Sequence, residues 1–154
     1  MNYKKPSICL VRPEIPQNTG NIGRLAAATN THLFLVGPLG FSLEDRYLRR
    51  AGLDYWPYLD WSYHETFVSV LGSFGQPPKI ALLSTKATSP YTNISPDTDL
   101  IVFGRETGGL STELREGYSE ALFRIPMSNS NVRSLNLANS VSIVLYHQLS
   151  QIGF

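Results

Sequence analysis

The stretch Leu100-Ile101-Val102-Phe103-Gly104-Arg105-Glu106-Thr107-Gly108-Gly109-Leu110-Ser111 passes from an unbroken apolar run through a glycine-containing loop to a residue able to cap a helix. The run, from Asp99 to Phe103, reads as a buried strand, and Ser111 opens a helix through about Tyr118. Strand, loop and helix in succession form half of a parallel α/β unit. The loop invites comparison with the phosphate-cradling pattern G-x-x-x-x-G-K-[ST], because Gly104, Gly109 and Ser111 fall in register with it. Leu110 stands where the lysine would be, and Glu106 would repel a triphosphate. The loop therefore suits a neutral or cationic ligand approached closely by backbone, or it is a tight turn whose glycines supply positive φ.

The same alternation extends in both directions. Upstream, Ser7 to Arg12 reads as a strand, Pro13 to Gly20 as a loop, and Asn21 to Thr29 as a helix. His32 to Val36 is a second strand closed by Gly37-Pro38, and Ser42-Leu43-Glu44-Asp45 predicts a helix reaching about Ala51, with Arg49 and Arg50 near its end and Gly52 past it. Leu53 to Tyr63, interrupted by Pro57, reads as a short strand plus loop. His64 to Leu71 reads as a helix, Lys79 to Ser84 as a strand, and Ser89 to Asp97 as a loop. Downstream, Ala121 to Pro126 is a last strand, and Ser134 opens a final helix running nearly to Phe154. Helices between strands predict one α/β domain over residues 1–154, a mostly parallel sheet with helices on both faces.

The final helix carries Leu135, Leu137, Ala138, Val141, Ile143, Val144, Leu145, Leu149 and Ile152, which do not fall on one stripe. Such a helix must be covered on most sides. Val141, Val144 and Leu145 are not expected to be buried together against one sheet face, so a second subunit is expected over the rest. A central helix in a monomer is the alternative.

The 154 residues are 42% hydrophobic and 16% charged with a formal net charge of +1, a folded composition without a basic tail for nucleic acid. The single cysteine, Cys9, lies inside an apolar run, which excludes an intrachain disulfide and a multi-thiolate metal site. With no secretory core or apolar span of membrane length, the chain is expected to be soluble and cytoplasmic, without a membrane partner.

In parallel sheets ligands bind beyond the carboxyl ends of strands, so the other loops after strands are the next candidates. In Pro13-Glu14-Ile15-Pro16-Gln17-Asn18-Thr19-Gly20-Asn21-Ile22-Gly23-Arg24, the residues Asn18, Asn21 and Arg24 recur every third position near a helix start. This suits an anionic or polyol ligand, or else Asn18 or Thr19 only caps the helix and Arg24 meets solvent. In the stretch from Ile125 to Ser140, Asn136 and Asn139 sit in the first turns of an apolar helix that Ser134 already caps. They either bond neighbouring loops or present amides to a ligand. His32, His64 and His147 lack metal-ligand spacing, no G-x-S-x-G elbow is present, and the first loop is not a G-x-G-x-x-G fingerprint, so no metal is expected.

Taken together, three segments resemble the motifs of the SPOUT class of RNA methyltransferases. They are Asn18-Thr19-Gly20-Asn21-Ile22-Gly23-Arg24, Phe103-Gly104-Arg105-Glu106-Thr107-Gly108-Gly109-Leu110, and Ile125-Pro126-Met127 with Arg133-Ser134-Leu135-Asn136-Leu137-Ala138-Asn139. Within that class the length and motif order are most similar to minimal bacterial enzymes that 2'-O-methylate a wobble-position pyrimidine of tRNA. The resemblance implies S-adenosylmethionine as methyl donor, tRNA as substrate, a homodimer, and a C-terminal trefoil knot that general topology rules would not suggest. It implies catalytic roles for Arg24, Asn18 and Asn136. It implies an adenosyl pocket from Leu83, Gly104, Glu106, Gly109, Ile125, Met127, Ser134, Leu135 and Asn139, and RNA contacts by Arg46, Arg49, Arg50 and Tyr146. Action on ribosomal RNA or another tRNA position, and a nonenzymatic RNA-binding module of the same fold, are the alternatives.

Overall fold

Along Ser7–Val11 (β1), Ile8 and Leu10 face one side of a sheet while Cys9 and Val11 face the other, and all four are buried. Two-sided burial is what a strand inside a parallel sheet requires. The remaining strands are Leu33–Val36 (β2), Trp61–His64 (β3), Ile80–Leu83 (β4), Leu100–Phe103 (β5) and Leu122–Phe123 (β6). They lie in the order β3-β2-β1-β5-β4-β6, and every pairing is parallel. These elements come from a computed structural model that describes residues 4–44, 46, 48, 50 and 54–154.

Four helices outside the undescribed stretch cover the sheet: α1 (Pro16–Thr29), α2 (Phe67–Gly72), α3 (Thr112–Gly117) and α4 (Leu137–Gln151). Ile22 and Ala26 of α1 and Val141, Val144, Leu145 and Leu149 of α4 pack on the face that carries Ile8, Leu10, Leu33, Leu35, Ile101 and Phe103. Val70 of α2, Leu114 of α3 and Leu110 just before it cover Cys9, Phe34, Val36, Leu82 and Val102 on the opposite face. The expected sheet with helices on both faces is therefore present. Arg46, Leu48 and Arg50 have helical backbone where a helix after β2 was predicted, whereas Arg49, Ala51 and Gly52 lie outside the described residues.

Several boundaries move. Helix α1 begins at Pro16, not Asn21, so much of the predicted loop is helix; proline is suited to this first position, where its missing N–H costs no bond. His64 belongs to β3, and α2 starts only after Thr66, whose hydroxyl accepts from the Ser69 amide at 3.1 Å. Strand β6 keeps two residues, with Arg124 continuing only as a bridge to Pro90. Helix α4 starts at Leu137 and is capped by Asn136, not by Ser134.

The packing of α4 also differs from expectation. Val141, Val144 and Leu145 are all fully buried within one chain. The helix rests on the sheet between α1 on one flank and the turn at 91–95 on the other, where Gln148 Nε2 donates to the Ser95 carbonyl at 3.0 Å and Tyr91 packs edge-on against His147. Three walls bury what one sheet face could not. The apolar surface that α4 leaves exposed is Ile143 and Tyr146, with Phe154 packed edge-on against Tyr146.

Candidate active site

Strand β1 pairs with β2 on one side and β5 on the other, so the chain reverses its direction of travel across the sheet between β1 and β5. At such a switch point the loops leaving the two strands diverge and open a crevice at the carboxyl edge. Here the loops are Arg12 to Ile15 and Gly104 to Ser111.

The second loop folds back on itself. Gly109 N–H donates to the Arg105 carbonyl at 2.9 Å, and Gly109 holds φ at +62°, where a side chain is strained. Gly104 is required for a different reason: a Cβ there would lie 2.1 Å from the Gly109 carbonyl carbon and 2.2 Å from the Leu110 nitrogen. Its missing side chain serves closure of the loop itself rather than leaving space for a ligand.

A reciprocal clasp joins the two loops. Glu106 accepts hydrogen bonds from the backbone amides of Glu14 at 2.8 Å and Ile15 at 2.7 Å, and from Asn18 Nδ2 at 3.2 Å. The N-cap of α1, Ile15, has no side-chain acceptor, so this carboxylate from about ninety positions downstream supplies the anion at the helix start. In return, Glu14 Oε1 accepts from Thr107 N at 3.0 Å and Thr107 Oγ1 at 2.7 Å. Those two bonds, with Arg105 nearby, hold the Glu14 carboxyl below its ordinary range and keep it ionised at neutral pH.

The third segment joins through amides. Asn136 Nδ2 donates to Asn18 Oδ1 at 3.0 Å, while Asn136 Oδ1 accepts from the Asn139 amide at 3.2 Å. A continuous path therefore runs from the cap of α4 through Asn136 and Asn18 to Glu106. It ties together segments far apart in sequence.

These three segments and the loop after β4 enclose a cleft of about 660 Å³. Of the residues implied as cofactor ligands, Leu83, Gly104, Glu106, Gly109, Ile125, Met127, Ser134 and Leu135 line it, together with Asn18 and Asn136. Asn139 does not, and acts on Asn136 through its backbone. Glu106 lines the cleft, but its carboxylate is engaged with the start of α1. Ser84, Thr85, Lys86, Arg115 and Arg133 also line the cleft and were not singled out from sequence. The rule that picks loops after strands would have found the first three, because they directly follow β4.

Arg24 is not part of this cleft. Six positions beyond Asn18, it is rotated about 240° around α1 and displaced about 9 Å along it. It is exposed, with its guanidinium 4.6 Å from the Tyr55 ring centroid. Arg46 and Arg50 are exposed after β2, Tyr146 is exposed on α4, and Arg49 lies outside the described residues. Cys9 is fully buried, and burial pushes its thiol far above the ordinary range, so it is no nucleophile. Among the described residues no three histidine, cysteine or acidic side chains gather in a metal-holding group, and no helix is long and apolar enough to cross a membrane.

The all-parallel sheet, with its switch-point cleft closed by a glycine loop and a C-terminal limb, is a fold shared with the SPOUT class of α/β methyltransferases. The chain belongs to the SpoU rRNA Methylase family, whose model matches residues 5–146. A tRNA (cytidine(34)-2'-O)-methyltransferase of Methylovorus glucosotrophus is 46% identical over 149 residues, covering 96% of each chain. A solved structure concerned with 2-OH methylation of C/U34 on tRNA superposes with a TM-score of 0.86 at 37% identity, covering 94% of this chain and 96% of that one. The AdoMet-bound rRNA methyltransferase of Sinorhizobium meliloti shares the fold, with a TM-score of 0.85 at 23% identity over 97% of this chain and 57% of that one.

Proposed function

We propose that this protein transfers a methyl group from S-adenosylmethionine to the ribose 2'-hydroxyl of the cytidine or uridine at position 34 of tRNA, as a cytoplasmic homodimer. The observation that carries the reading is the path Asn136–Asn18–Glu106, which brings all three motif segments to one cleft. Near-full-length relatives of the stated activity support the same conclusion.

The cleft suits the donor. Leu83, Phe103, Ile125 and Leu135 supply apolar wall for a heteroaromatic base, the loop 104–110 supplies backbone amides and carbonyls for a ribose, and the volume is of the size small-molecule sites take. When bound, S-adenosylmethionine supplies an electrophilic methyl group on a sulfonium. The protein must then hold the acceptor hydroxyl in line and stabilise the charge that develops as its proton leaves. Asn18 and Asn136 lie at the cleft and are locked in orientation by each other, which fits them to position the ribose. Arg24 is the group proposed to stabilise the developing alkoxide. Because it stands off its own chain's cleft, it serves the cleft of the second protomer. Lys86, Arg115 and Arg133 around the cleft, with Arg46 and Arg50 after β2, offer cations to tRNA phosphates. The limb from Arg124 to Asn136, bonded to α1 through Asn18, is the segment the trefoil crossing would involve.

Nucleoside mass spectrometry of tRNA from cells with and without the protein tests the reading. Loss of 2'-O-methylpyrimidine mapped to position 34, restored by the purified protein with S-adenosylmethionine, is expected. Loss mapped to ribosomal RNA would move the substrate, and no change with no transfer in vitro would leave an RNA-binding module.

A further inference from the structure

We propose that Glu14 is a positioning residue for methyl transfer, fixing the glycine loop 104–111 against the start of α1 and so setting the cofactor side of the cleft relative to Asn18 and Asn136. The inference rests on the methyltransferase reading of the cleft. Glu14 is not among the residues lining the cleft, yet Thr107, which donates two hydrogen bonds to it, and the adjoining Arg105 and Glu106 all do. Any effect of its side chain on ligand or substrate therefore passes through the loop.

The geometry makes this side chain a specific lever. The main chain at Glu14 is held independently of its carboxylate: Gly40 N–H donates to the Pro13 carbonyl at 2.9 Å, and a Cβ on Gly40 would lie 2.7 Å from the Glu14 Cα. Its amide is also held by Glu106. Shortening the side chain thus leaves the backbone anchored on two sides and releases only Thr107. The loop then keeps its internal Gly109–Arg105 bond and its grip on α1 through Glu106, while its outer turn loses two bonds to an ionised acceptor. Nothing else among the described hydrogen bonds holds the Thr107 amide or hydroxyl.

Four variants, Glu14→Ala, Thr107→Val, Thr107→Ser and the double Glu14→Ala/Thr107→Val, separate positioning from bulk stability. Hydrogen exchange of the segment 104–111 in the ligand-free protein reads the clasp directly, and calorimetry with S-adenosylhomocysteine reads its consequence. Glu14→Ala is expected to speed exchange of that segment about tenfold and weaken S-adenosylhomocysteine about tenfold, the scale of losing a charge-assisted pair. Its KM for S-adenosylmethionine should rise while the KM for a tRNA anticodon stem-loop stays at the parental value. Thr107→Ser, which keeps both donors, should match the parent in hydrogen exchange of 104–111. The double variant should exchange no faster than Glu14→Ala alone, since Glu14→Ala already removes both bonds and Thr107→Val removes one of the same two. Unchanged exchange in Glu14→Ala, or fully additive effects in the double variant, would overturn the proposal. If the parent protein bound no S-adenosylhomocysteine, the methyltransferase reading would fail, while the exchange measurement would still decide whether the clasp exists.

Discussion

Gly104 and Gly109 lie five positions apart in one loop and are irreplaceable for unlike reasons, which makes their variants diagnostic. At Gly109 a side chain would meet no atom within 4 Å, but the backbone sits at φ +62°, so Gly109→Ala should cost about 1 kcal/mol of stability through strain alone. At Gly104 the added Cβ would strike backbone 2.1 Å away, and backbone cannot swing aside as a side chain can. Gly104→Val is therefore expected to open the loop, lowering the melting temperature and abolishing S-adenosylhomocysteine binding together. Thermal melts paired with calorimetry check both, and a Gly104→Val protein that melted like its parent would contradict the clash. From sequence the glycines were visible, but the atom each would strike was not, because the loop's fold back onto itself is set by the Arg105–Gly109 pairing.

At the scale of elements, β1, β2, β4 and β5 were legible because each is a short apolar run bounded by polar or turn residues, and their parallel pairing follows from helices placed between strands. Strand β3, Trp61-Ser62-Tyr63-His64, mixes polar and aromatic residues, and its bounds were not legible. Helix starts were less legible. Pro16 was read as loop although proline fits a first turn, and the anion that completes α1 comes from Glu106, beyond the reach of any local capping pattern. The sheet edge holds a second polar device that spacing did not reveal, since residues from β2 and β3 meet only after pairing. Asp60 accepts from His32 Nδ1 at 2.9 Å, His32 Nε2 lies 3.0 Å from Ser62 Oγ, Ser62 Oγ lies 3.1 Å from His64 Nε2, and His64 Nδ1 lies 2.7 Å from Ser69 Oγ. With both rings neutral the donors run in one direction, from Ser69 through His64, Ser62 and His32 to Asp60, and each is matched to an acceptor. Ser62→Val interrupts this run at its centre and leaves two imidazole nitrogens without their partner. Water reaches this half-buried edge, so the expected loss is about 1 kcal/mol, read from chemical denaturation. A variant as stable as the parent would show that the chain of bonds contributes nothing net.

For the whole molecule, the decisive relation is between a cleft built on one face and an arginine that stands apart from it. Arg24 lies on α1, which packs beside α4, and α4 exposes Ile143 and Tyr146 next to Phe154. An apolar strip of this kind suits an isologous contact in which each copy presents the same surface. In such a pair, an exposed arginine on the helix packed beside α4 would be able to reach the other copy. The consequence can be tested by mixing two inactive proteins. Arg24→Ala retains an intact cleft, and Asn136→Ala retains an intact arginine while losing the amide that bonds Asn18. If Arg24 serves its own chain, every site in a mixed dimer carries a defect and the mixture stays inactive. If it serves the second protomer, one of the two sites in each mixed dimer combines an unaltered cleft with an unaltered arginine. Random exchange at equal concentrations makes half the dimers mixed, so single-turnover methylation should recover to about a quarter of the parental amplitude. Ile143→Lys placed in both proteins should abolish that recovery and yield monomers by sedimentation, because a buried unpaired charge opposes association. Recovery near zero in verified mixed dimers would return Arg24 to its own chain, and a parent protein sedimenting as a monomer at micromolar concentration would remove the dimer itself.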